Sequence, residues 1–287
     1  MSSTTRVALI QLCATADVDA NVATAERLVR AAADGGARVT LLPEAYAFIG
    51  AHQAKLEMVE PVIDPSDRPA PILDRFRALA AETGTEIVLG GHHELAATHP
   101  DMCYNTCVHV GADGDVRAAY RKIHLFDVSL DDGTTLAESA RTLPGQDVVV
   151  TNTAFGTLGL TICYDVRFPY LYQALADAGA IAICVPSAFT ATTGAAHWHT
   201  LLRARAIESQ CWILAAAQHG AHGGQRRSYG HSLVVDPWGE VVAELADGDG
   251  VLYAEVDPER VAAVRRQLPS REHRVHLTPG DGPCVRP

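Results

Sequence analysis

Two hydrophobic rhythms alternate along the first half of the chain. The run "RVALIQL" (residues 6–12) is almost continuously apolar, the pattern of a buried strand. Residues 18–34 read as a helix, stopped by Gly35-Gly36. A second strand, "RVTLLPE", ends at Glu44. In "PILDRFRALAAETG" the apolar positions Ile72, Phe76, Leu79 and Ala80 form a helical stripe, and "EIVLGG" returns to strand. This makes two rounds of strand, helix and strand.

Past residue 100 the elements shorten. "YNTCVHVGADGDVRAAYRK" predicts two strands joined at Asp113-Gly114, a hairpin signal, and "DVVVTNTAFGTLGLTIC" predicts a second hairpin. A helix follows with Pro169 in its first turn and Gly179 at its end. Next come the strand "AIAICVPSAF", a helix through "AAHWHTLLRARAIESQC", the strand "WILAAAQ" and the hairpin "SLVVDPWGEVVAEL". Helices interleaved with mixed strands, without linker or composition shift, predict one α/β domain over residues 1–287. Residues from about 268 to 287, rich in Pro, Gly and Arg, are expected to be an irregular tail.

Charge and cysteine usage narrow the partners. A net charge of −11 argues against nucleic acid, whose phosphates need clustered Lys and Arg, but not against a small anion in a locally positive pocket. No apolar run approaches the ~18 residues of a membrane helix, so no membrane partner is expected. The opening "MSSTTRVALIQLC" lacks the apolar core of a secretory signal. With seven cysteines and no dense framework, the expected compartment is the reducing cytoplasm. No CxxC or HExxH occurs, so no metal is expected.

Chemistry concentrates where strands hand over to loops. Scanning those ends gives Glu44 in "LLPEAY", Lys122 in "YRKIHLFD" and Cys163 in "LTICYD". A thiolate is a strong nucleophile, a carboxylate can shuttle its proton, and an ammonium can hold an oxyanion. Together they suit acyl transfer from a C–N bond. Taken singly, a strand-end Cys is more often packing, and Glu44 and Lys122 more often solvated surface charges.

The three contexts, with "CYDVRFP" around the cysteine, resemble the nitrilase (carbon–nitrogen hydrolase) superfamily, and the resemblance extends from "RVALIQLCAT" to "RRQLPSREHR". It implies a four-layer α-β-β-α sandwich and no cofactor. It also implies a homodimer or higher even oligomer, formed through the cysteine-bearing faces. Cys163 would be the nucleophile, Glu44 the general base and acid, and Lys122 an oxyanion holder, with the Tyr164 backbone N–H as second donor. Glu138 in "LAESART" matches a second family glutamate that orients the lysine. Its bland reading is an ordinary loop charge.

Other positions carry less specific signals. Arg167 suits a substrate carboxylate or, equally, a salt bridge with an acid such as Asp165. "PSAFTATTGAAHW" resembles the family's pocket-closing segment, which implies substrate contacts for Phe189, Thr190 and His197 and leaves Trp198 to the core. The resemblance places the helix of Arg203, Arg205 and Glu208 at the dimer interface, which implies structural charges there, and Cys103, Cys107, Cys184 and Cys211 read as core thiols. His197 and His199, two apart on a helix, point to different faces. "HLFDVSL", "TGAAHWHTLLRARAIESQCWILAAAQ" and "RRSYGHSLVVDPWG" are most similar to the Nit branch, especially its amidases of deaminated glutathione. That implies a small-molecule amide substrate cleaved to 2-oxoglutarate and cysteinylglycine. The alternatives are an omega-amidase acting on 2-oxoglutaramate, a nitrilase or carbamoylase, or a partner-binding Nit protein without catalysis.

Overall fold

A computed structural model describes residues 4–51, 53–63, 66–129, 135–224 and 226–275. The chain opens with β1 (Thr5–Gln11), α1 (Val18–Asp34), β2 (Val39–Leu41), α2 (Pro71–Thr83), β3 (Glu86–Leu95), β4 (Cys103–Val110) and β5 (Val116–Arg121). A small ribbon, β6 (Asp127–Ser129) with β7 (Thr135–Ala137), leads to β8 (Val150–Thr153), β9 (Gly156–Leu160), α3 (Pro169–Asp177) and β10 (Ala182–Cys184). Then come α4 (Ala191–Ser209), β11 (Trp212–Ala215), the ribbon β12 (His219–Ala221) with β13 (Arg227–Tyr229), and β14 (Ser232–Val235). β15 (Val241–Leu245), β16 (Gly250–Val256) and α5 (Pro258–Gln267) complete it.

The strands form two six-stranded sheets, ordered β16-β1-β2-β3-β4-β5 and β15-β14-β11-β10-β9-β8. Alternation along β1 shows how they stack. Val7 and Leu9 join a core with Leu158, Leu160, Ile213 and Val234 of the second sheet. Ala8 and Ile10 point the other way, to Val22 and Leu28 of α1 and Phe76 of α2. Because successive side chains leave a strand on opposite faces, an apolar run buries both at once. On the outer face of the second sheet lie Leu171 and Leu175 of α3 with Trp198 and Leu202 of α4. The result is the expected α-β-β-α order, with Trp198 fully buried in the core.

Local chemistry explains several boundaries. Asp17 caps α1 by accepting the Ala20 N–H at 3.0 Å, and the helix ends at Gly35. α2 begins on Pro71 and ends at Gly84 with φ 66°, a left-handed C-cap. The strand predicted to end at Gly91 instead continues to Leu95, because a bulge between Leu89 and His92 absorbs the Gly90-Gly91 break. The predicted strand ending on Cys163 stops at Leu160, and Cys163 opens a 3-10 turn to Arg167. Residues 268–275 are irregular, and residues 276–287 of the expected tail lie outside the described residues.

Candidate active site

Glu44 and Cys163 both follow the carboxyl ends of strands with parallel neighbours, one in each sheet. Glu44 sits three residues past β2, and Ala45 after it turns sharply at φ 56°. Cys163 has φ 47°, also left-handed. A non-glycine residue in that region costs on the order of 1–3 kcal/mol and persists only where its surroundings impose it. Here the constraints are visible: the Cys163 N–H is held by the Pro186 carbonyl at 2.9 Å, and the Asp165 N–H by the Ile162 carbonyl at 3.0 Å. Tyr164 lies between them with the second N–H of the turn, a donor that helix geometry leaves without a partner inside the turn.

Lys122 is the first residue after β5, its backbone pinned by Asn105 O and Gly145 N at 2.8 Å each. The ammonium is buried, 3.0 Å from Glu44 Oε1 and 2.8 Å from Glu138 Oε2. Asn105 is a fourth member that the sequence did not mark. Its amide Nδ2 donates to Glu44 Oε1 at 2.9 Å and to Glu138 Oε1 at 3.0 Å, bridging the two carboxylates. Backbone donors complete the set: Ala188 N–H to Glu44 Oε2 at 2.9 Å and Phe126 N–H to Glu138 Oε2 at 2.8 Å. Gly91 makes room for all this. At φ 68°, any Cβ there would lie 2.7 Å from Asn105 Oδ1 and 2.9 Å from Glu44 Cγ.

The protonation pattern follows from these contacts. Burial pushes the Glu44 carboxyl up, but the Lys122 charge and hydrogen bonds from Lys122 and Asn105 outweigh it and hold the group below the ordinary glutamate value. Burial disfavours the Lys122 ammonium, yet the charges of Glu138 and Glu44 keep it well above the ordinary lysine value. Burial and the Glu44 charge raise the Cys163 thiol well above its usual range, although Lys122 pulls the other way. Both directions favour a neutral thiol beside an ionised carboxylate over a preformed thiolate.

A pocket opens over this floor, walled by Phe48, Phe126, Leu136, Lys55, His93 and Arg226. Phe189 and Thr190 line a smaller recess that also touches Cys163 and Tyr164. Arg167 and His197 are brought together, but line neither cavity. The Arg167 guanidinium donates to His197 Nδ1 at 3.3 and 3.4 Å and lies 5.2 Å from the Phe189 ring centre. Asp165 is not its partner. That buried carboxylate accepts from Tyr120 Oη at 2.7 Å and Ile162 N at 2.9 Å, and lies 2.7 Å from His124 Nδ1. It thereby ties the cysteine turn to the segment after Lys122.

The remaining thiols and histidines sort by surroundings. Cys103, Cys107, Cys184 and Cys211 are buried. Arg205 is buried on the Val166 carbonyl at 2.7 Å and pairs with Glu208 at 2.7 Å, while Arg203 holds the Gly239 carbonyl at 2.8 Å. His199 turns away from His197 to Glu244, which also binds His231. Among the described residues those three side chains are the ones spaced to share a metal ion, with ligand atoms within 4.8 Å of one another. None of them lines either cavity.

Comparison with known proteins agrees with the fold. The carbon–nitrogen hydrolase family profile matches residues 6–266. The chain belongs to the carbon–nitrogen hydrolase family. A Homo sapiens relative named deaminated glutathione amidase is 44% identical over 272 residues, covering 93% of this chain and 81% of that protein. The crystal structure of the Caenorhabditis elegans NitFhit protein superposes with a TM-score of 0.86 at 36% identity, over 95% of this chain. This carbon–nitrogen hydrolase chain spans 65% of the length of that larger protein. A variant of the Nesterenkonia sp. amidase, with the acetamide moiety of fluoroacetamide added to its active-site cysteine, superposes with a TM-score of 0.77. It is 26% identical over 94% of this chain and 97% of its own.

Proposed function

We propose that this carbon–nitrogen hydrolase is a thiol amidase that cleaves deaminated glutathione to 2-oxoglutarate and cysteinylglycine. The observation that carries the mechanism is the convergence of Cys163, Glu44 and Lys122 on one pocket, with the Lys122 ammonium 3.0 Å from the Glu44 carboxylate. The human relative's name supports the choice of substrate.

The chemistry follows from these positions. Glu44 takes the Cys163 proton as sulfur attacks the amide carbonyl carbon. The negative charge leaves Glu44 and reappears on the carbonyl oxygen, so the buried charge stays constant while Lys122 keeps its own. Neutralised Glu44 no longer competes for the ammonium, whose field becomes available to the oxyanion. The Tyr164 N–H is the second donor to that oxygen. When the C–N bond breaks, Glu44 returns the proton to the departing amine, leaving a thioester on Cys163. Glu44 then deprotonates a water that attacks the thioester carbon, and the thiol leaves with that proton. Glu138 and Asn105 act by fixing Lys122 and Glu44.

The recess beside Cys163 suits Phe189 and Thr190 as acyl contacts, while Arg167 and His197 would shape it from behind Phe189. The exposed Tyr170 on α3, Ile207 on α4 and Trp238 beside β14 favour a homodimer through the cysteine-bearing face, which light scattering would test. Six free cysteines among the described residues fit a cytoplasmic setting.

The decisive assay follows product release from deaminated glutathione, 2-oxoglutaramate, a simple amide, a carbamoyl amino acid and a nitrile. Deaminated glutathione should give the highest kcat/KM. A higher value for 2-oxoglutaramate would reassign the enzyme as an omega-amidase. No turnover of any of them would leave a binding protein.

A further inference from the structure

The floor of the pocket is a closed charge set, and the wall above it is not. Glu44 and Glu138 are both engaged by Lys122. Lys55 and Arg226 also line the pocket. Lys55 Nζ donates to the Thr142 hydroxyl at 2.8 Å, a neutral partner, and among the described residues no carboxylate pairs with it. Among the described residues the Arg226 guanidinium has neither a hydrogen-bond acceptor nor a carboxylate. Among the described residues three cations therefore face two carboxylates in this pocket, an excess of one positive charge inside a chain of net charge −11. His93, between these groups, is held at about 3, by burial first and then by the charges of Lys55, His92 and Arg226, so it adds no charge of its own at neutral pH.

The two cations are held by built structure. Arg226 sits at the base of the β12–β13 ribbon, where its carbonyl accepts the His222 N–H at 3.0 Å. His222 is itself buried, with Nδ1 2.8 Å from Ala14 O and Nε2 2.7 Å from Ser228 Oγ. Lys55 lies on a 3-10 turn over Ala54–Met58. The pocket wall between them and the floor is apolar, with Phe48, Phe126 and Leu136, as a short hydrocarbon spacer requires.

We propose that Lys55 and Arg226 form a carboxylate subsite, so that the pocket selects amides whose arm ends in a carboxylate held away from the scissile carbonyl. This rests on the amidase reading above and adds residues that the sequence did not single out. Arg167, the sequence-based candidate for the same task, is occupied by His197 and lines neither cavity.

The test compares glutaramate, which carries such a carboxylate, with the neutral pentanamide, in wild type, Arg226→Met and Lys55→Met. Wild type should favour glutaramate, and each substitution should shrink that kcat/KM ratio about tenfold to hundredfold, mainly through KM, as expected for losing a charged hydrogen-bond partner. Arg226→Lys should recover part of the ratio by restoring the charge. A ratio unchanged in both Met variants would overturn the subsite. Calorimetric titration with glutarate separates this from the amidase reading. If wild type hydrolyses neither these amides nor deaminated glutathione, the amidase reading fails, yet glutarate binding that weakens in both Met variants still supports the subsite. Equal glutarate affinity in all three proteins rejects it.

Discussion

Arg121 and Lys122 are adjacent in sequence and leave the end of β5 on opposite sides, each into a buried cluster of carboxylates. Arg121 grips Glu94 through two nitrogens, Nε at 3.0 Å and Nη2 at 2.6 Å, and the Thr106 hydroxyl and Ile63 N–H fill the rest of that carboxylate. Glu44 is held by Lys122, Asn105 and the Ala188 N–H, and the Cys163 thiol lines the same pocket. Glu94 therefore accepts four hydrogen bonds, about the capacity of the group, while Glu44 accepts three and keeps room for one more donor. The difference is which proton can move. Glu94's donors are a guanidinium, a hydroxyl and an amide, all of which keep their protons near neutrality. Glu44 instead shares its pocket with a thiol, which becomes a nucleophile when it gives its proton up. Burial and hydrogen bonding build rigidity in both clusters, and a single labile thiol separates a reactive site from a structural one.

Matched substitutions press on that contrast hardest. Glu44→Gln should lower kcat by ~10²–10⁴, the usual worth of a positioned general base, with a melting temperature near wild type. Glu94→Gln should do the reverse, costing about 3 kcal/mol in denaturant melts because the Arg121 charge loses its partner, while kcat stays within about tenfold. A stability loss at Glu44 and a catalytic loss at Glu94 would break the comparison. Lys122→Met should follow, lowering kcat by ~10²–10³ through the oxyanion. Wild-type steady-state kinetics in that variant would reduce Lys122 to a structural charge. Asn105→Ala should cost about tenfold in kcat/KM, the value of one hydrogen bond to a charged group.

The smallest effect is a displacement along the pH axis. Glu44 works only when ionised, and its folded pKa is held below the ordinary glutamate value. Activity should therefore persist as pH falls through the normal carboxylate range and be lost only below it. Asn105 is one of the donors that lower that pKa, so in Asn105→Ala the acid limb of kcat/KM should move to higher pH. An acid limb that does not move would show that Asn105 serves only the backbone of β4.

Much of this was legible in the residues. α1 spans residues 18–34 as its pattern predicts, because an N-cap and a double glycine are local signals. Glu44, Lys122, Glu138 and Cys163 were findable because each is a reactive residue in a distinctive context at an element's end. Asn105 was not, since it lies inside "YNTCVHV", and only the β3–β4–β5 register turns its side chain toward both glutamates. Arg226 was hidden for a different reason. It lies 171 residues after Lys55 in the chain, and only the ribbon that carries it brings the two to one pocket. The bulge at Gly90-Gly91 was missed because two glycines read as a stop, whereas here Gly90 lets Pro186 and the Leu42 carbonyl approach and Gly91 lets Glu44 and Asn105 pass close to the backbone.

The claim that Glu44 hands its charge to an acyl-forming Cys163 is tested most directly by intact-protein mass spectrometry after acid quench during turnover of deaminated glutathione. The account predicts a transient mass increase equal to the 2-oxoglutaryl group, mapped to Cys163 by peptide digestion and absent in Cys163→Ala, which also loses turnover. Turnover retained by Cys163→Ala, or the acyl group found on another residue, would contradict it.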